Sequence, residues 1–147
     1  MDYKTPMFKD NELKDKVILV TGGGTGLGKS MSRYFMQLGA KVIIASDVRK
    51  PLEVEKLIEA GIKEYGHING LVNNAAGNFI SPTERLSPKA FDVIVDIVLK
   101  GSYNCSLLLG QYWIKEKIAG NVLNIVTTYS WTGSGYVVPS AVAKAGV

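Results

Sequence analysis

The chain has 147 residues, 46% of them hydrophobic and 20% charged, with 17 lysines and arginines against 13 aspartates and glutamates and a formal net charge of +4. That apolar fraction excludes an intrinsically disordered chain, the single cysteine (Cys105) excludes a disulfide scaffold, and no unbroken run of about 18 apolar residues marks a membrane span. One histidine, His67, gives no basis for a histidine-built metal site or triad, and the modest positive excess without a Lys/Arg run suits a small anionic ligand and not nucleic acid.

Met1 to Lys16 lack the apolar run of a secretory signal, so a cytoplasmic setting is the expectation, with mitochondrial and peroxisomal placements open. From there short apolar runs alternate with helix-period segments, the pattern of an α/β domain built on a parallel sheet covered on both faces. The predicted strands are Val17–Thr21, Lys41–Ser46, Gly70–Asn73 and Asn121–Thr127, each nearly continuously apolar as fully covered strands are. A first helix is predicted from about Gly26 to Leu38, stopped by Gly39, and a second from Pro51 to about Tyr65, stopped by Gly66. The third and longest runs from Ser87 as N-cap and Pro88 as first helical residue to about Lys117. Phe91, Ile94, Val95, Val98, Cys105, Leu109, Tyr112 and Trp113 recur along it at helical spacing, with Gly101 and Ser102 where close packing is expected. So much apolar surface suits a core on one side and a subunit interface on the other.

Between the first strand and first helix stands Thr21-Gly22-Gly23-Gly24-Thr25-Gly26-Leu27-Gly28. Residues without a Cβ let the backbone turn sharply and approach a pyrophosphate, and the exposed N–H groups at the helix start favour that anion. The bare alternative is a tight turn that holds no ligand.

The spacing Thr-Gly-x-x-x-Gly-x-Gly, together with Asn73-Asn74-Ala75-Ala76-Gly77 after a later strand, resembles the short-chain dehydrogenase/reductase family. The run Asn73–Pro88 resembles more narrowly the 2,4-dienoyl-CoA reductases. The resemblance covers about Lys16 to Val147 and implies a single Rossmann-type, doubly wound domain over 1–147. It also implies a helix and strand between the second strand and Asp47-Val48-Arg49, so a segment is expected to be missing between 46 and 47, and more beyond 147. Were Ser46–Asp47 a true bond, Asp47 would end the second strand, where an acidic residue binds a ribose 2′-hydroxyl and favours NAD. A join there instead puts Asp47 and Val48 beside the adenine. The join, and with it NADPH, is the expectation.

The common Tyr-x-x-x-Lys pair of this family is not met, because Ser140 stands four residues before Lys144 and Thr127 occupies the usual serine position. Tyr129, Ser140 and Lys144 instead match the dienoyl-CoA reductase variant. By that resemblance Tyr129 and Asn78 would hydrogen-bond the thioester oxygen as negative charge reaches it through the conjugated chain. Lys144 would tune Tyr129 and hold the nicotinamide ribose, and Ser140 would orient Tyr129 and link it to Lys144.

The resemblance further assigns Gly22, Gly23, Gly24, Thr25, Gly26, Leu27, Gly28, Asp47, Val48, Asn74, Ala75 and Lys144 to the cofactor, and Arg49, Phe79 and Ser87 to an acyl-CoA substrate. It implies a homo-oligomer, a tetramer or a dimer, and no metal. Taken singly, the residues also have ordinary readings: Tyr129 as a strand-end aromatic, Ser140 as a helix N-cap after Pro139, Lys144 as a solvated lysine, Asn78 as a loop residue and Phe79 as core. The expected activity is NADPH-dependent reduction of 2,4-dienoyl-CoA in fatty acid β-oxidation. A carbonyl or 3-oxoacyl reductase of the same fold and a non-catalytic nucleotide-binding sensor are the alternatives.

Overall fold

The computed structural model describes residues 7–45 and 47–147. Four parallel strands, β1 (Val17–Thr21), β2 (Lys41–Ala45), β3 (Gly70–Asn73) and β4 (Asn121–Asn124), form one sheet in the order β2-β1-β3-β4. Helix α1 (Gly26–Gln37) joins β1 to β2, and α2 (Pro51–Tyr65) follows β2. After β3 come a short 3-10 turn (Thr83–Arg85), α3 (Pro88–Val95), a π-helical segment (Asp96–Lys100) and α4 (Gly101–Glu116), and after β4 come α5 (Tyr129–Thr132) and α6 (Val138–Gly146).

Strand alternation sends successive β1 side chains to opposite faces. Val17 and Leu19 pack with Ile43, Leu71 and the α2 and α4 side chains Val54, Ile58, Cys105, Leu109 and Trp113. Ile18 and Val20 pack with Val72 and with Met31 and Phe35 of α1. Helices on both faces therefore cover β1 fully, as a doubly wound sheet requires.

The boundaries follow local chemistry. The Ser87 hydroxyl accepts the Ala90 N–H at 3.2 Å, which caps α3 as expected, and Gly39 and Gly66 take left-handed φ values of 93° and 82° at the helix ends. The Trp113 indole donates to the Ile68 carbonyl at 2.7 Å, fastening α4 to the approach to β3. From Pro88 to Glu116 the helix runs 29 residues, long and apolar enough by composition to cross a membrane, yet its Val98, Cys105, Leu109 and Trp113 are core residues here.

Four expectations need correction. The predicted strand Asn121–Thr127 ends at Asn124: the Ile125 N–H still bonds to Asn73, but the chain then turns, with the Ser130 N–H and hydroxyl both on the Thr127 carbonyl. β4 is also exposed along its length, Leu123 by 46%, because among the described residues no strand pairs with its outer edge. The long helix is interrupted by the π turn, where the Ser102 hydroxyl takes the Val98 carbonyl at 2.7 Å and Lys100 pairs with Asp96, and Phe91 at its start lies on the surface and not in the core. The expected join at Ser46–Asp47 rests on Ser46, which lies outside the described residues.

Candidate active site

The glycine loop and the β3 loop are built as one unit. Thr21, buried at the end of β1, accepts at its hydroxyl the N–H groups of Asn74 (2.9 Å) and Ala75 (2.8 Å). Asn74 returns its side-chain amide to the Thr21 carbonyl at 2.9 Å. These crossed bonds hold the two loops side by side above the ends of β1 and β3. Two glycines carry the geometry. Gly22 has a φ of +65°, and a Cβ on Gly28 would overlap the Gly22 carbonyl and the Asn74 amide.

Over this unit opens a cavity of about 550 Å³ lined by Gly22, Thr25, Gly26, Leu27, Gly28, Asp47, Val48, Arg49, Asn74, Ala75, Ala76 and Ile97. Most of the residues expected at a cofactor are therefore brought together. Gly23 and Gly24 are in the loop but not in the lining. The cavity has the size of a small-ligand site, and its wall of backbone N–H groups at the α1 start fits an anionic dinucleotide. Thr21, Ala76 and Ile97 were not anticipated as site residues. For Thr21 a signal was present, since it opens the glycine motif; Ile97 lies in the π-helical segment.

Val48 is clamped beside it. Its carbonyl accepts the Asn104 amide at 3.1 Å, and its side chain occupies the space a Cβ on Gly101 would need. Arg49 pairs with Asp47 through Nε and Nη2, both at 2.8 Å, and this guanidinium holds the Asp47 carboxyl down at about 2.

The second cluster is carried by the segment after β4 and by α6. The Tyr129 hydroxyl lies 3.1 Å from the Ser140 hydroxyl. Lys144, on the next turn of α6, donates from Nζ to the Ile125 carbonyl, and burial lowers its pKa. The ordinary readings of Ser140, Lys144 and Tyr129 do not hold. α6 begins at Val138, so Ser140 lies inside its first turn, 2% exposed, and is no N-cap; Lys144 is 5% exposed and not solvated. Tyr129 opens α5 and does not end a strand.

Among the described residues the Lys144 hydrogen bond goes to the Ile125 carbonyl and none joins Lys144 to Ser140, which was expected to link it to Tyr129. Asn78 is exposed in the loop after Gly77, with no hydrogen bond to Tyr129 among the described residues. Phe79, 45% exposed, is not core, and Ser87 serves as the α3 cap. The Cys105 thiol is buried and pushed up to about 12, a packed hydrophobe remote from chemistry.

The two clusters share a support. Leu99 of the π turn fills the space beside Gly146 of α6, and Ile94 and Val98 pack on Ala143 one residue before Lys144, while Ile97 lines the cavity.

The chain is 42% identical over 170 aligned positions to a Caenorhabditis elegans protein named "Probable 2,4-dienoyl-CoA reductase 3 [(3E)-enoyl-CoA-producing]", with 97% of this chain and 55% of that one covered. It is 34% identical to a Bacillus subtilis protein named "Probable 2,4-dienoyl-CoA reductase [(2E)-enoyl-CoA-producing]", over 92% of this chain and 63% of that one. The chain thus spans about half to two thirds of the length of these curated relatives. Because the first alignment runs to 170 positions against 147 residues, at least 23 of its positions have no counterpart in this chain. A short chain dehydrogenase crystal structure from Bacillus anthracis superposes with a TM-score of 0.89 at 38% identity, covering 91% of this chain and 64% of that one. The profile described as short chain dehydrogenase matches residues 42–147, and the chain belongs to the short-chain dehydrogenase family.

Proposed function

We propose that the protein is an oxidoreductase that reduces 2,4-dienoyl-CoA thioesters with NADPH. The observation that carries this reading is the contact of 3.1 Å between Tyr129 and Ser140 on the helix that also holds the buried Lys144. In this arrangement a serine fills the place where a carbonyl reductase of the family would offer its tyrosine, and the tyrosine comes from α5. The names of the two reductase relatives point the same way.

A nicotinamide dinucleotide, when bound, supplies the hydride. Gly22, Thr25, Gly26, Leu27 and Gly28 would hold its pyrophosphate, with Asn74 and Ala75 beside it. Tyr129 donates its O–H to the thioester oxygen as negative charge accumulates there, and Ser140 fixes the direction of that O–H. Asn78, exposed next to the cavity loop, offers a second amide donor to the same oxygen, and exposed Phe79 offers apolar surface to the acyl chain. Lys144, buried one turn beyond Ser140 on α6, would hold ribose hydroxyls of the nucleotide.

Mixing the chain with NADPH and a 2,4-dienoyl-CoA while following dienoyl absorbance tests the reading directly. Loss of absorbance with one NADPH consumed per thioester is expected. Turnover of a ketone with none of the dienoyl thioester would assign it to the carbonyl reductases instead. The exposed Tyr103, Leu107 and Ile114 of α4 support a homo-oligomer, which gel filtration would show as a dimer or tetramer.

A further inference from the structure

The two donors assigned to the thioester oxygen stand on segments that share no strand or helix. Asn78 lies in the exposed loop between β3 and the 3-10 turn, and Tyr129 opens α5. A short strap joins those segments. The Ser81 N–H donates to the Tyr136 carbonyl at 3.0 Å, the Thr83 N–H to the Gly135 carbonyl at 3.1 Å, and the Thr83 hydroxyl to that same Gly135 carbonyl at 2.7 Å. Among the described residues these are the hydrogen bonds that link 77–87 to 129–140.

Gly135 and Tyr136 lie midway along the span whose two ends, Tyr129 and Ser140, meet through their hydroxyls. The Ser140 end is held by packing, since α6 is buried at Ser140, Ala141, Ala143 and Lys144 and rests on Ile94 and Val98. The Tyr129 end is not. α5 is a single turn of four residues, none of them buried, so polar contacts and not apolar packing hold the phenol in place. Thr83 is itself exposed at the head of a 3-10 turn that buries nothing. An exposed hydroxyl ordinarily bonds water, whereas this one takes the second lone pair of a carbonyl already bonded to its own N–H. Two bonds from one residue to one oxygen fix direction as well as distance.

Resting on the dienoyl-CoA reading above, we propose that Thr83 is a positioning residue: its hydroxyl, clamped on the Gly135 carbonyl, sets Asn78 and Tyr129 at the spacing at which both donate to one oxygen. Two donors stabilise the charge developing on a shared oxygen only when both reach it, and a misplacement of about 1 Å is costly. Thr83 does not line the cavity beside the glycine loop, so nucleotide binding does not depend on it.

Thr83→Val removes the hydroxyl at nearly unchanged shape, and Thr83→Ser keeps it. With NADPH and a 2,4-dienoyl-CoA, Thr83→Val is expected to lower kcat roughly ten- to hundred-fold. NADPH affinity should stay within about twofold by fluorescence titration, and Tm near wild type. Thr83→Ser should recover most of the rate. A residue that acts by aligning two donors loses its effect once one of them is gone, so in an Asn78→Ala background Thr83→Val should cost less than about threefold. Full additivity in that background overturns the proposal, as does an unchanged kcat in Thr83→Val or no recovery in Thr83→Ser.

A second measurement needs no turnover. Amide hydrogen exchange read by mass spectrometry should show 77–82 and 129–140 opening together in Thr83→Val, with α4 unchanged. Faster exchange confined to 83–86, or spread through α4 as well, overturns the proposal. Should Thr83→Val fail to fold, Thr83→Ala takes its place in both experiments with the same outcomes deciding. A wild type that leaves the dienoyl thioester unreacted sinks the activity reading, and the exchange result then decides by itself whether Thr83 couples the two segments.

Discussion

The Tyr129 and Ser140 hydroxyls meet at 3.1 Å although they stand eleven positions apart in the chain, on either side of the α5–α6 junction. The contact aligns a phenol with a hydroxyl that is itself fixed in the first turn of α6. Tyr129→Phe removes the donor and is expected to lower kcat roughly 100- to 1000-fold, the range for losing one oxyanion donor. Affinity for NADPH should stay near wild type by fluorescence titration. Ser140→Ala should cost less, because the phenol survives but loses its orientation. Equal loss of NADPH binding in Tyr129→Phe would contradict the role given to it.

Lys144 makes stability depend on alkaline pH. Burial lowers its pKa below the ordinary 10.5, so in the unfolded chain it keeps its proton to higher pH than in the folded one. Between the lowered folded value and 10.5 the unfolded state binds more protons, and stability rises with pH. Below that window both states are charged and the burial penalty is paid in full. Urea unfolding of wild type and Lys144→Met across pH 8 to about 10.5 should therefore show the wild type gaining on the variant as pH increases. A difference that stays flat would mean the ammonium is solvated in the native protein.

Two glycines of the same loop should respond oppositely. Gly28 has no room for a Cβ between the Gly22 carbonyl and the Asn74 amide, whereas a Cβ on Gly24 meets nothing within 4 Å and the residue has no left-handed φ. Gly28→Ala is expected to displace the loop, weaken dinucleotide binding at least about tenfold and lower Tm. Gly24→Ala should fold as well as wild type. Isothermal calorimetry and thermal melts on the pair read both effects.

Cys105 is buried among Leu19, Leu71 and Leu109, and its thiol is pushed up to about 12. The thiolate is the reactive form, so the native protein at pH 8 should react with a disulfide reagent far more slowly than a free thiol. Full reaction should appear only in denaturant. Rapid labelling of the native chain would show that α4 opens away from the sheet.

Packing of the π turn on Val48 predicts a further cost. Gly101→Ala should lower stability by about 1–3 kcal/mol, the usual penalty for overpacking, since Val48 already fills the space. Weaker dinucleotide binding should accompany it, because Val48 lines the cavity. Chemical denaturation and NADPH titration measure the two.

Where local chemistry decides, the sequence was sufficient. The strands at Val17–Thr21 and Gly70–Asn73, the helix at Pro51–Tyr65 and the cap at Ser87 occur as their residues predict, since apolar runs, a first-turn proline and a hydroxyl N-cap act over a few residues. The glycine motif likewise located the cavity. Its Gly22 turn and the Gly28 approach depend on the absence of a Cβ, a property of the residue itself.

What only the tertiary structure decided depends on neighbours distant in the chain. Nothing in the run Asn121–Thr127 says that β4 ends at Asn124 or that its side chains are exposed, because that follows from its place at the edge of the sheet. Ile97 lies in the π turn and lines the cavity, and just beyond that turn Val48 packs on Gly101 across more than 50 residues. The same is true of the chemistry. Read singly, Ser140 is a helix N-cap and Lys144 a solvated lysine, and burial in α6 is what sets one beside Tyr129 and depresses the proton affinity of the other. Residue types and spacing determined which groups are present; desolvation and contact, which exist only once the chain is packed, decided what each of them can do.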